Sequence, residues 1–301
     1  MKREDATRPM GKQLHYVQAI QAAYPDFTVE TVHLNQDGQF NDVLVVNNES
    51  IFRFPKTARE AAKLVTETAL LRSLQAHVTL PIPDPIYQNK EATEIGQIFM
   101  GYHLLPGEPL WPDILRELPD EEVQHLANQL ATFLHQLHAI SAEALEVPLP
   151  ESQGCEEWRV LYDRFRNKLF PFMRAEARQW VTEQFETFLN DERNCSYTPA
   201  FVHGDFGRTN ILYAARTKSV SGIIDFSEAG WGDPALDFAA LLSPVCYGEP
   251  FVERFTALYP GIEGLLERAH FYRGTFALQE ALYGLEDGDQ EAFESGIEQY
   301  R

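Results

Sequence analysis

The chain has 301 residues, of which 44% are hydrophobic and 23% charged, a composition that can bury the cores of two ordinary domains. Its 45 acidic and 25 basic side chains leave a formal net charge of −20, which repels polyanions and argues against binding to nucleic acid or anionic membranes. We therefore expect a chain that folds throughout and has no nucleic-acid or membrane partner.

The first third of the chain has the alternation and turn residues of a small antiparallel sheet. Strands are predicted at 27–34, 42–46 and 50–54, with turns at Gly38 and at Asn47-Asn48. Thr57 and Glu60 form a capping box for a helix that runs to Leu74. A strand pair ending at 95–102 completes a nucleotide-binding lobe, to which we assign residues 1–100.

Helical spacing replaces this alternation beyond residues 101–107, which are predicted to form a hinge. Apolar residues fall three or four positions apart from Val123 to Leu137, and further helical regions are predicted at 156–189 and 262–285. Residues 108–301 are therefore expected to form a larger, mainly helical lobe that carries catalysis and substrate binding.

The central chemical signal is the segment His-Gly-Asp-Phe-Gly-Arg-Thr-Asn at 203–210, followed by an apolar strand that ends at Asp225. Asp205 can orient or deprotonate a hydroxyl group, while Asn210 and Asp225 supply oxygen ligands for Mg²⁺. The step from Asp205 to Asn210 equals that of the protein-kinase catalytic loop. The pattern predicts magnesium-dependent transfer of a phosphoryl group from ATP or GTP to a hydroxyl.

These motifs resemble the aminoglycoside phosphotransferase family. Residues 225–238 are similar to its metal-binding Asp, Gly-Asp-Pro and downstream Asp, and residues 130–138 are similar to its helix ending in Leu-His. The resemblance implies an α+β, two-lobed protein-kinase-like fold with a small antiparallel sheet lobe carrying one helix and a larger, mainly helical lobe. Ser227 replaces the glycine of the Asp-Phe-Gly motif, which favours a small-molecule kinase over a protein kinase.

The resemblance also implies a basic side chain that faces the nucleotide phosphates. Arg53 is the preferred residue because strand alternation places it opposite Phe52 and Phe54, and Lys56 is the alternative. Glu67 lies within an apolar helical stripe, so we expect it to pair with Arg53 as in kinases. A carboxylate at the helix edge with its head in water is the alternative.

The remaining nucleotide contacts are predicted from backbone segments. Residues 36–41 contain Gly38 and Asn41 and resemble the Gly-x-x-Asn turn of the family, although an ordinary hairpin would have the same composition. The hinge contacts to the nucleobase are assigned to four consecutive residues, Met100, Gly101, Tyr102 and His103.

Several residues near these motifs are expected to be structural. His203 should fix the catalytic loop, and Asp237 should anchor a helix start or hydrogen-bond that loop. Asp233, before Pro234, should cap a helix. None of the three is assigned a direct catalytic role.

The acceptor is expected to be cationic. Tyr272, Phe276, Glu280 and Tyr283 recur at helical spacing and place a carboxylate among aromatic rings, an arrangement suited to an ammonium group. Ordinary packing with Glu280 at its rim is the alternative. Glu280, Tyr272, Asp205 and Glu228 are the predicted acceptor-binding residues.

The sequence looks closest to the branch that phosphorylates the 2''-hydroxyl of aminoglycosides, which implies a role in antibiotic resistance. Relatives acting on macrolides, choline or homoserine share the same motifs, so these acceptors stay open. A pseudokinase that binds nucleotide without turnover is the alternative from another class. We expect a monomer.

Location and redox state are predicted from simple patterns. The segment before Gly11 lacks the basic-then-apolar order of a signal peptide, and no run could span a bilayer, so a cytoplasmic location is expected. Cys155, Cys195 and Cys246 are odd in number and widely spaced, which predicts buried free thiols rather than disulfides or a metal site.

Overall fold

A computed structural model describes residues 8–301 except Asp37, Gln39, Lys90, Glu146 and Pro244. Its strands are β1 (Val32–Asn35), β2 (Asn41–Val46), β3 (Ser50–Pro55), β4 (Tyr87–Gln88), β5 (Met100–His103), β6 (Glu108–Pro109), β7 (Ala200–Val202), β8 (Ile211–Ala214), β9 (Ser219–Ile223) and β10 (Gly230–Gly232). Its α-helices are α1 (Arg8–Ala23), α2 (Ala58–Leu74), α3 (Pro112–Glu117), α4 (Asp120–His138), α5 (Cys155–Arg164), α6 (Ala175–Asn190), α7 (Glu192–Cys195), α8 (Ala235–Leu241), α9 (Glu249–Val252), α10 (Glu263–Asp287) and α11 (Gln290–Ile297).

The chain divides into two compact units. The sheet unit comprises the chain up to Pro109 together with Ala142–Pro148 and Asn210–Ser227. The helical unit comprises Leu110–Ser141, Leu149–Thr209 and Glu228–Arg301. None of the described helices combines the length and the apolar character needed to cross a bilayer.

The sheet unit contains a five-stranded antiparallel sheet in the order β1-β2-β3-β5-β4. Asn47 and Asn48 make the turn between β2 and β3 with φ values of 57° and 54°, a left-handed conformation that Asn tolerates better than most residues. The predicted meander is therefore confirmed. Its first strand is shorter than predicted, because only Val32–Asn35 pairs with β2.

The predicted helix after β3 is confirmed as α2. The hydroxyl of Thr57 accepts a hydrogen bond from the backbone N–H of Glu60 at 3.3 Å, so the amino-terminal cap is in place. Leu64, Leu71 and Leu74 are buried along the inner face of the helix. This packing fixes the position of every other residue on that face, including Glu67.

Helix α1 was not among the predicted elements, and it gives the sheet unit a second helix. The ring of Tyr16 stacks on that of Phe54 with centroids 3.9 Å apart, and Ile20 is fully buried in the same cluster. The Tyr16 hydroxyl donates to Asp42 at 2.6 Å, and Lys12 pairs with the same carboxylate at 2.5 Å. These contacts tie α1 to the face of the sheet that carries the core.

A second, three-stranded sheet in the order β6-β8-β9 also belongs to the sheet unit. Ile211 pairs with Ile223, and one step further the N–H of Ile224 donates to the carbonyl of Asn210 at 2.9 Å. Asn210 and Asp225 therefore lie at the same end of the β8–β9 hairpin.

The helical unit is built around α10, which packs against α8 and α11. Its core includes Phe165, Val181, Phe185, Leu278 and Ile297, all almost fully buried. The predicted final helix is confirmed within two residues of its bounds. The predicted region 156–189 is helical but divided, since a π-helical turn and a 3₁₀ turn separate α5 from α6.

Candidate active site

Arg53 and Glu67 form the ion pair that strand alternation and helical periodicity predicted. The guanidinium Nη1 lies 2.6 Å from Glu67 Oε1, and the two side chains are only 9% and 3% exposed. Phe52 and Phe54 enter the core on the opposite face of β3. Burial raises the pKa of Glu67, while the adjacent Arg53 opposes that effect. The alternative of a solvated carboxylate at the helix edge is wrong.

Asp225 is the third charged member of this cluster. Its Oδ1 lies 3.3 Å from Nη2 of Arg53, and 43% of its side chain is exposed. The residue has φ +64°, a conformation that costs energy for any residue with a Cβ and that occurs preferentially at functional sites. The carboxylate is thus held by one cation and still open to a ligand.

Asn210 and Asp225 provide the donor set expected for a magnesium site. Both offer oxygen ligands, which hard divalent cations prefer, and they share one end of the β8–β9 hairpin. Among the described residues no group of three His, Cys, Asp or Glu side chains could hold a metal. An amide and one carboxylate fit Mg²⁺, which takes few protein ligands and completes its shell from phosphate and water.

The predicted phosphate loop is only partly described, because Asp37 and Gln39 lie outside the described residues. Lys56, the alternative phosphate contact, donates to the carbonyls of Gln36 and Gly38 and lies 3.5 Å from Asp42. It therefore braces this turn, whereas Arg53 lies with Glu67 and Asp225. The side-chain oxygen of Asn41 is buried and has no hydrogen-bond partner among the described residues.

The four predicted hinge residues form β5. Met100 and Gly101 pair with β3 on one side and with β4 on the other, so their backbone groups serve the sheet. In contrast, Tyr102 and His103 pair with β3 and, of the strands named above, with no other. Tyr102 lies opposite Ile51 and thus on the Arg53 face of the sheet, where burial raises its pKa to about 12.

In the helical unit the catalytic loop is held by Asp237. Its buried carboxylate accepts hydrogen bonds from the backbone N–H groups of His203 and Gly204, each at 2.9 Å. The expected role of Asp237 in bonding this loop is therefore confirmed. Burial alone would raise the pKa of Asp237, but the hydrogen bond from His138 and the nearby imidazoles hold it below its ordinary value.

Asp205 projects from a loop whose backbone is fixed on both sides. Its N–H donates to Nδ1 of the buried His203 at 3.3 Å, and its carbonyl accepts from the N–H of Gly207 at 2.9 Å. Gly204 has φ +82°, and a Cβ there would collide with the carbonyl oxygen of Glu228. Asp205 itself is exposed.

Asp233 is a capping residue, as expected, and it also joins two helices. Its Oδ1 accepts from the N–H of Ala235 at 3.0 Å, at the start of α8. Arg268 pairs with it at 2.5 Å and Tyr272 donates to it at 2.7 Å, both from α10. Tyr272 is almost fully buried, and its ring stacks on Trp158 with centroids 4.6 Å apart.

A cavity of about 630 Å³ opens in the helical unit beside the catalytic loop. Gly204, the residue before Asp205, is part of its wall. The rest of the lining includes the cation Arg164, aliphatic and uncharged polar residues, and a set of acidic and aromatic side chains: Glu156, Glu157, Glu228, Trp158, Tyr197 and Phe276. Of the predicted acceptor residues, Tyr272 and Glu228 line this cavity, whereas Glu280 is exposed on α10 and its neighbour Gln279 takes the lining position.

Sequence reasoning missed the α5 side of this cavity and Tyr197. Glu156 and Glu157 lie at the polar start of a helix that carries no catalytic motif. Tyr197 lies in a segment without regular structure that follows the short helix α7. The only available signal was the aromatic Trp158 among charged residues.

The expectation of three free thiols is wrong for two of them. Cys155 and Cys195 form a disulfide with Cα atoms 5.3 Å apart, and only Cys246 is a buried free thiol. Spacing along the chain misled because 40 residues separate the pair, whereas folding brings the start of α5 next to the end of α7. An odd count leaves one cysteine over without excluding a single bridge.

The sequence matches known phosphotransferases over most of its length. The profile of the APH group, the Phosphotransferase enzyme family, matches residues 31–271. Viomycin phosphotransferase of Streptomyces vinaceus is 32% identical over 270 residues, covering 88% of this chain and 91% of that protein. The uncharacterized protein YcbJ of Bacillus subtilis (strain 168) is 26% identical over 250 residues, covering 76% of this chain and 75% of its own.

Solved structures show the same fold. A GDP and kanamycin complex of APH(2'')-IIIa has a TM-score of 0.87 at 29% identity and covers 95% of this chain and 97% of its own. Macrolide 2'-phosphotransferase type I has a TM-score of 0.76 at 20% identity, covering 100% and 99%, a likeness of fold alone. The predicted α+β protein-kinase-like fold is confirmed. The chain therefore belongs to the aminoglycoside phosphotransferase family and is a phosphotransferase with an alcohol group as acceptor.

Proposed function

We propose that this enzyme transfers the γ-phosphate of ATP or GTP to a hydroxyl of a cationic, aminoglycoside-like small molecule. The observation that carries the proposal is the cavity beside Gly204, because it combines carboxylates with aromatic rings next to Asp205. Carboxylates pair with ammonium groups, and aromatic faces attract them through cation–π contacts. The formal charge of −20 adds long-range attraction for a polycation.

The related proteins support this acceptor class. The relative that is 32% identical is a viomycin phosphotransferase, and the structure with 29% identity was solved with kanamycin and GDP. GDP in that complex also supports a nucleoside triphosphate as phosphate donor. We extend these properties to the present chain as part of the proposal.

In the proposed reaction, Asp205 accepts the proton of the acceptor hydroxyl. The hydroxyl oxygen forms a bond to the γ-phosphorus while the bond to the β–γ bridging oxygen breaks, and the nucleoside diphosphate leaves. The proton passes from Asp205 to water. Because the backbone of Asp205 is fixed by His203 and Gly207, its carboxylate is oriented before the acceptor arrives.

On the donor side, Arg53 is proposed to contact the phosphates, oriented by Glu67. Asn210 and Asp225 would hold Mg²⁺, which neutralises phosphate charge when bound. Gly38 and Asn41 are proposed to cover the phosphates. Nucleobase contacts are assigned to β5, and its two residues beyond the β4 pairing, Tyr102 and His103, are the better placed.

In the proposed enzyme, residues 1–100 form the nucleotide-binding lobe, residues 101–107 the hinge and residues 108–301 the catalytic lobe. A monomeric state and a role in antibiotic resistance complete the proposal. Glu280 remains a proposed acceptor contact because it lies one helical turn after the lining residue Phe276 on α10.

The deciding experiment measures acceptor-dependent release of nucleoside diphosphate with purified protein, Mg²⁺, and either ATP or GTP. The acceptor panel contains kanamycin, gentamicin, viomycin, a macrolide, choline and homoserine. We expect turnover with at least one of the first three. Turnover confined to the macrolide, choline or homoserine would assign another acceptor class. Nucleotide binding without any turnover would favour the pseudokinase.

A further inference from the structure

The Cys155–Cys195 disulfide joins the two segments that form one wall of the cavity. Cys155 is the first residue of α5 and directly precedes the lining residues Glu156 and Glu157. Cys195 is the last residue of α7 and lies two positions before the lining residue Tyr197. One covalent bond therefore connects the acidic part of this wall to its aromatic part.

A chain of weaker contacts continues from this bond toward α8. The Ser152 hydroxyl donates to Glu157 at 3.0 Å and lies 3.3 Å from the Tyr197 hydroxyl. The Arg268 guanidinium lies over the Tyr197 ring, 5.6 Å from its centroid, while pairing with Asp233. Tyr197 is thus held from both ends, between Ser152 and a cation that is itself fixed.

These contacts are too weak to fix the wall alone. The Ser152–Glu157 hydrogen bond is exposed to solvent, where such bonds add little, and residues 196–199 have no regular structure. Helix α7 has only four residues. The Cys155–Cys195 bond adds a covalent tie between the start of α5 and the end of α7, whose Cα atoms it keeps 5.3 Å apart.

We propose that the Cys155–Cys195 disulfide is a positioning element of the acceptor site, which holds Tyr197 and the Glu156–Glu157 edge in the geometry that binds a cationic acceptor. This inference rests on the proposed function, because it takes the cavity as the acceptor site. All members of this network belong to the helical unit, whereas Arg53, Glu67, Asn210 and Asp225 belong to the sheet unit. Loss of the bond should therefore weaken acceptor binding and spare nucleotide binding.

The first test is the double variant C155S/C195S, with C246S as the matched control that removes the free thiol instead. With kanamycin or viomycin as acceptor, we expect the acceptor KM of C155S/C195S to rise roughly five- to tenfold, the effect of misplacing one ionic or cation–π contact. The kcat and the nucleotide KM should change less than about twofold, an energy below 0.5 kcal/mol. An unchanged acceptor KM in the folded double variant would overturn the proposal.

Reduction of the disulfide with dithiothreitol tests the same prediction without a substitution. Its two thiols reduce the disulfide by successive exchange, so that the protein gains two thiols and the reagent becomes a cyclic disulfide. Treated wild-type enzyme should match C155S/C195S, and the double variant should not respond. A response of equal size in the double variant would show that reduction acts elsewhere.

A double-mutant cycle with Y197L separates positioning from general stability. If the disulfide acts through Tyr197, Y197L should raise the acceptor KM in the disulfide-bonded enzyme and add little in the C155S/C195S background. Fully additive effects would contradict this route. If the bridge were purely structural, its removal would lower the free energy of unfolding without producing this coupling.

Hydrogen exchange keeps the outcome separate from that of the proposed function. Lack of turnover with every cationic acceptor would overturn the proposed function and the acceptor part of this inference, whereas hydrogen exchange reports separately on whether the disulfide holds the wall. Peptides covering 152–158 and 195–199 should still exchange faster in C155S/C195S than in C246S, while β2 and β3 should be unaffected. Equal exchange in the two variants would remove the basis for the positioning role.

Discussion

His138 and Asp237 are hydrogen bonded, Nε2 to Oδ2 at 2.9 Å, across the interface of α4 and α8. The other ring nitrogen, Nδ1, lies 2.6 Å from the Tyr259 hydroxyl. The same carboxylate bonds the backbone of His203 and Gly204. Two helices thus fix the loop that presents Asp205, although neither supplies a reacting group.

Replacing Asp237 should therefore damage both stability and catalysis. In D237N the amide can accept through one oxygen only and turns its NH₂ toward groups that are themselves donors. We expect a loss of about 3 kcal/mol in the free energy of unfolding, typical of breaking a buried charged network. Urea denaturation at pH 7 measures this loss, and a difference below 1 kcal/mol would contradict it.

The same pair of proteins gives a pH test. The folded state holds the pKa of Asp237 below its ordinary value of 3.8, so its contribution is complete above that pH and is lost as the pH falls through the lowered value. The stability difference between wild type and D237N should shrink as the pH falls below about 4, because Asp237 of the folded protein then becomes protonated. A difference that widens below pH 4 would reverse the assignment.

Substitutions of Asp205 and Asp225 should affect different steps, the first phosphoryl transfer and the second nucleotide binding. D205A should abolish transfer, a loss of at least about a hundredfold in kcat, with nucleotide affinity largely retained, because the role proposed for Asp205 is at the acceptor hydroxyl. D225A should weaken Mg²⁺-dependent nucleotide binding. Nucleotide titrations with and without Mg²⁺ on both variants measure the contrast. Near-normal turnover in D205A, or unchanged metal dependence in D225A, would reject the corresponding role.

Replacing Arg53 should destabilise the protein more than replacing its ion-pair partner Glu67. R53M leaves Glu67 buried without its cation, which should cost about 3–5 kcal/mol of stability. E67M should cost less because Arg53 keeps Asp225 at 3.3 Å, and that carboxylate is partly hydrated. The double variant R53M/E67M should be more stable than R53M alone, as denaturation curves would reveal. Equal losses in the two single variants would mean that Asp225 does not compensate.

Gly204 should not tolerate a side chain. G204A combines a strained φ of +82° with a collision against Glu228, so we expect turnover to fall more than about tenfold. G261A is the matched control, because Gly261 has the same φ of +82° and nothing within 4 Å of an added Cβ. The control should lose about 1 kcal/mol of stability and keep its activity. Equal activity loss in both variants would exclude the collision as the cause.

Local patterns predicted the parts of the fold and site that depend on neighbours in sequence. The capping of α2 by Thr57 is a short-range hydrogen bond, and the side of β3 on which Arg53 lies follows from alternation alone. The pairing with Glu67 could be predicted because a carboxylate in an apolar stripe needs a cation. Thr57, Arg53 and Glu67 could each be assigned from the pattern of the single element that carries or starts at that residue.

Contacts between distant elements could not be predicted in this way. Tyr272 has the spacing of a surface aromatic on α10, yet its hydroxyl is bonded to Asp233, which is 39 residues away in sequence. The disulfide and the cavity wall depend on how α5 and α7 meet, and no periodicity encodes that meeting. The acidic residues Glu156 and Glu157 look like any solvated helix start until the neighbouring segment is in place.

The contact of Asp42 with α1 has a practical consequence for dissecting this enzyme. The carboxylate is fully enclosed, and besides Lys56 its partners Lys12 and Tyr16 both come from α1. A fragment that starts after Tyr16 would remove two of the described partners of this enclosed carboxylate, leaving Lys56 at 3.5 Å, and would uncover one face of the Phe54 ring. Truncations meant to isolate the sheet unit should therefore begin ahead of Lys12, since shorter versions would report misfolding instead of nucleotide affinity.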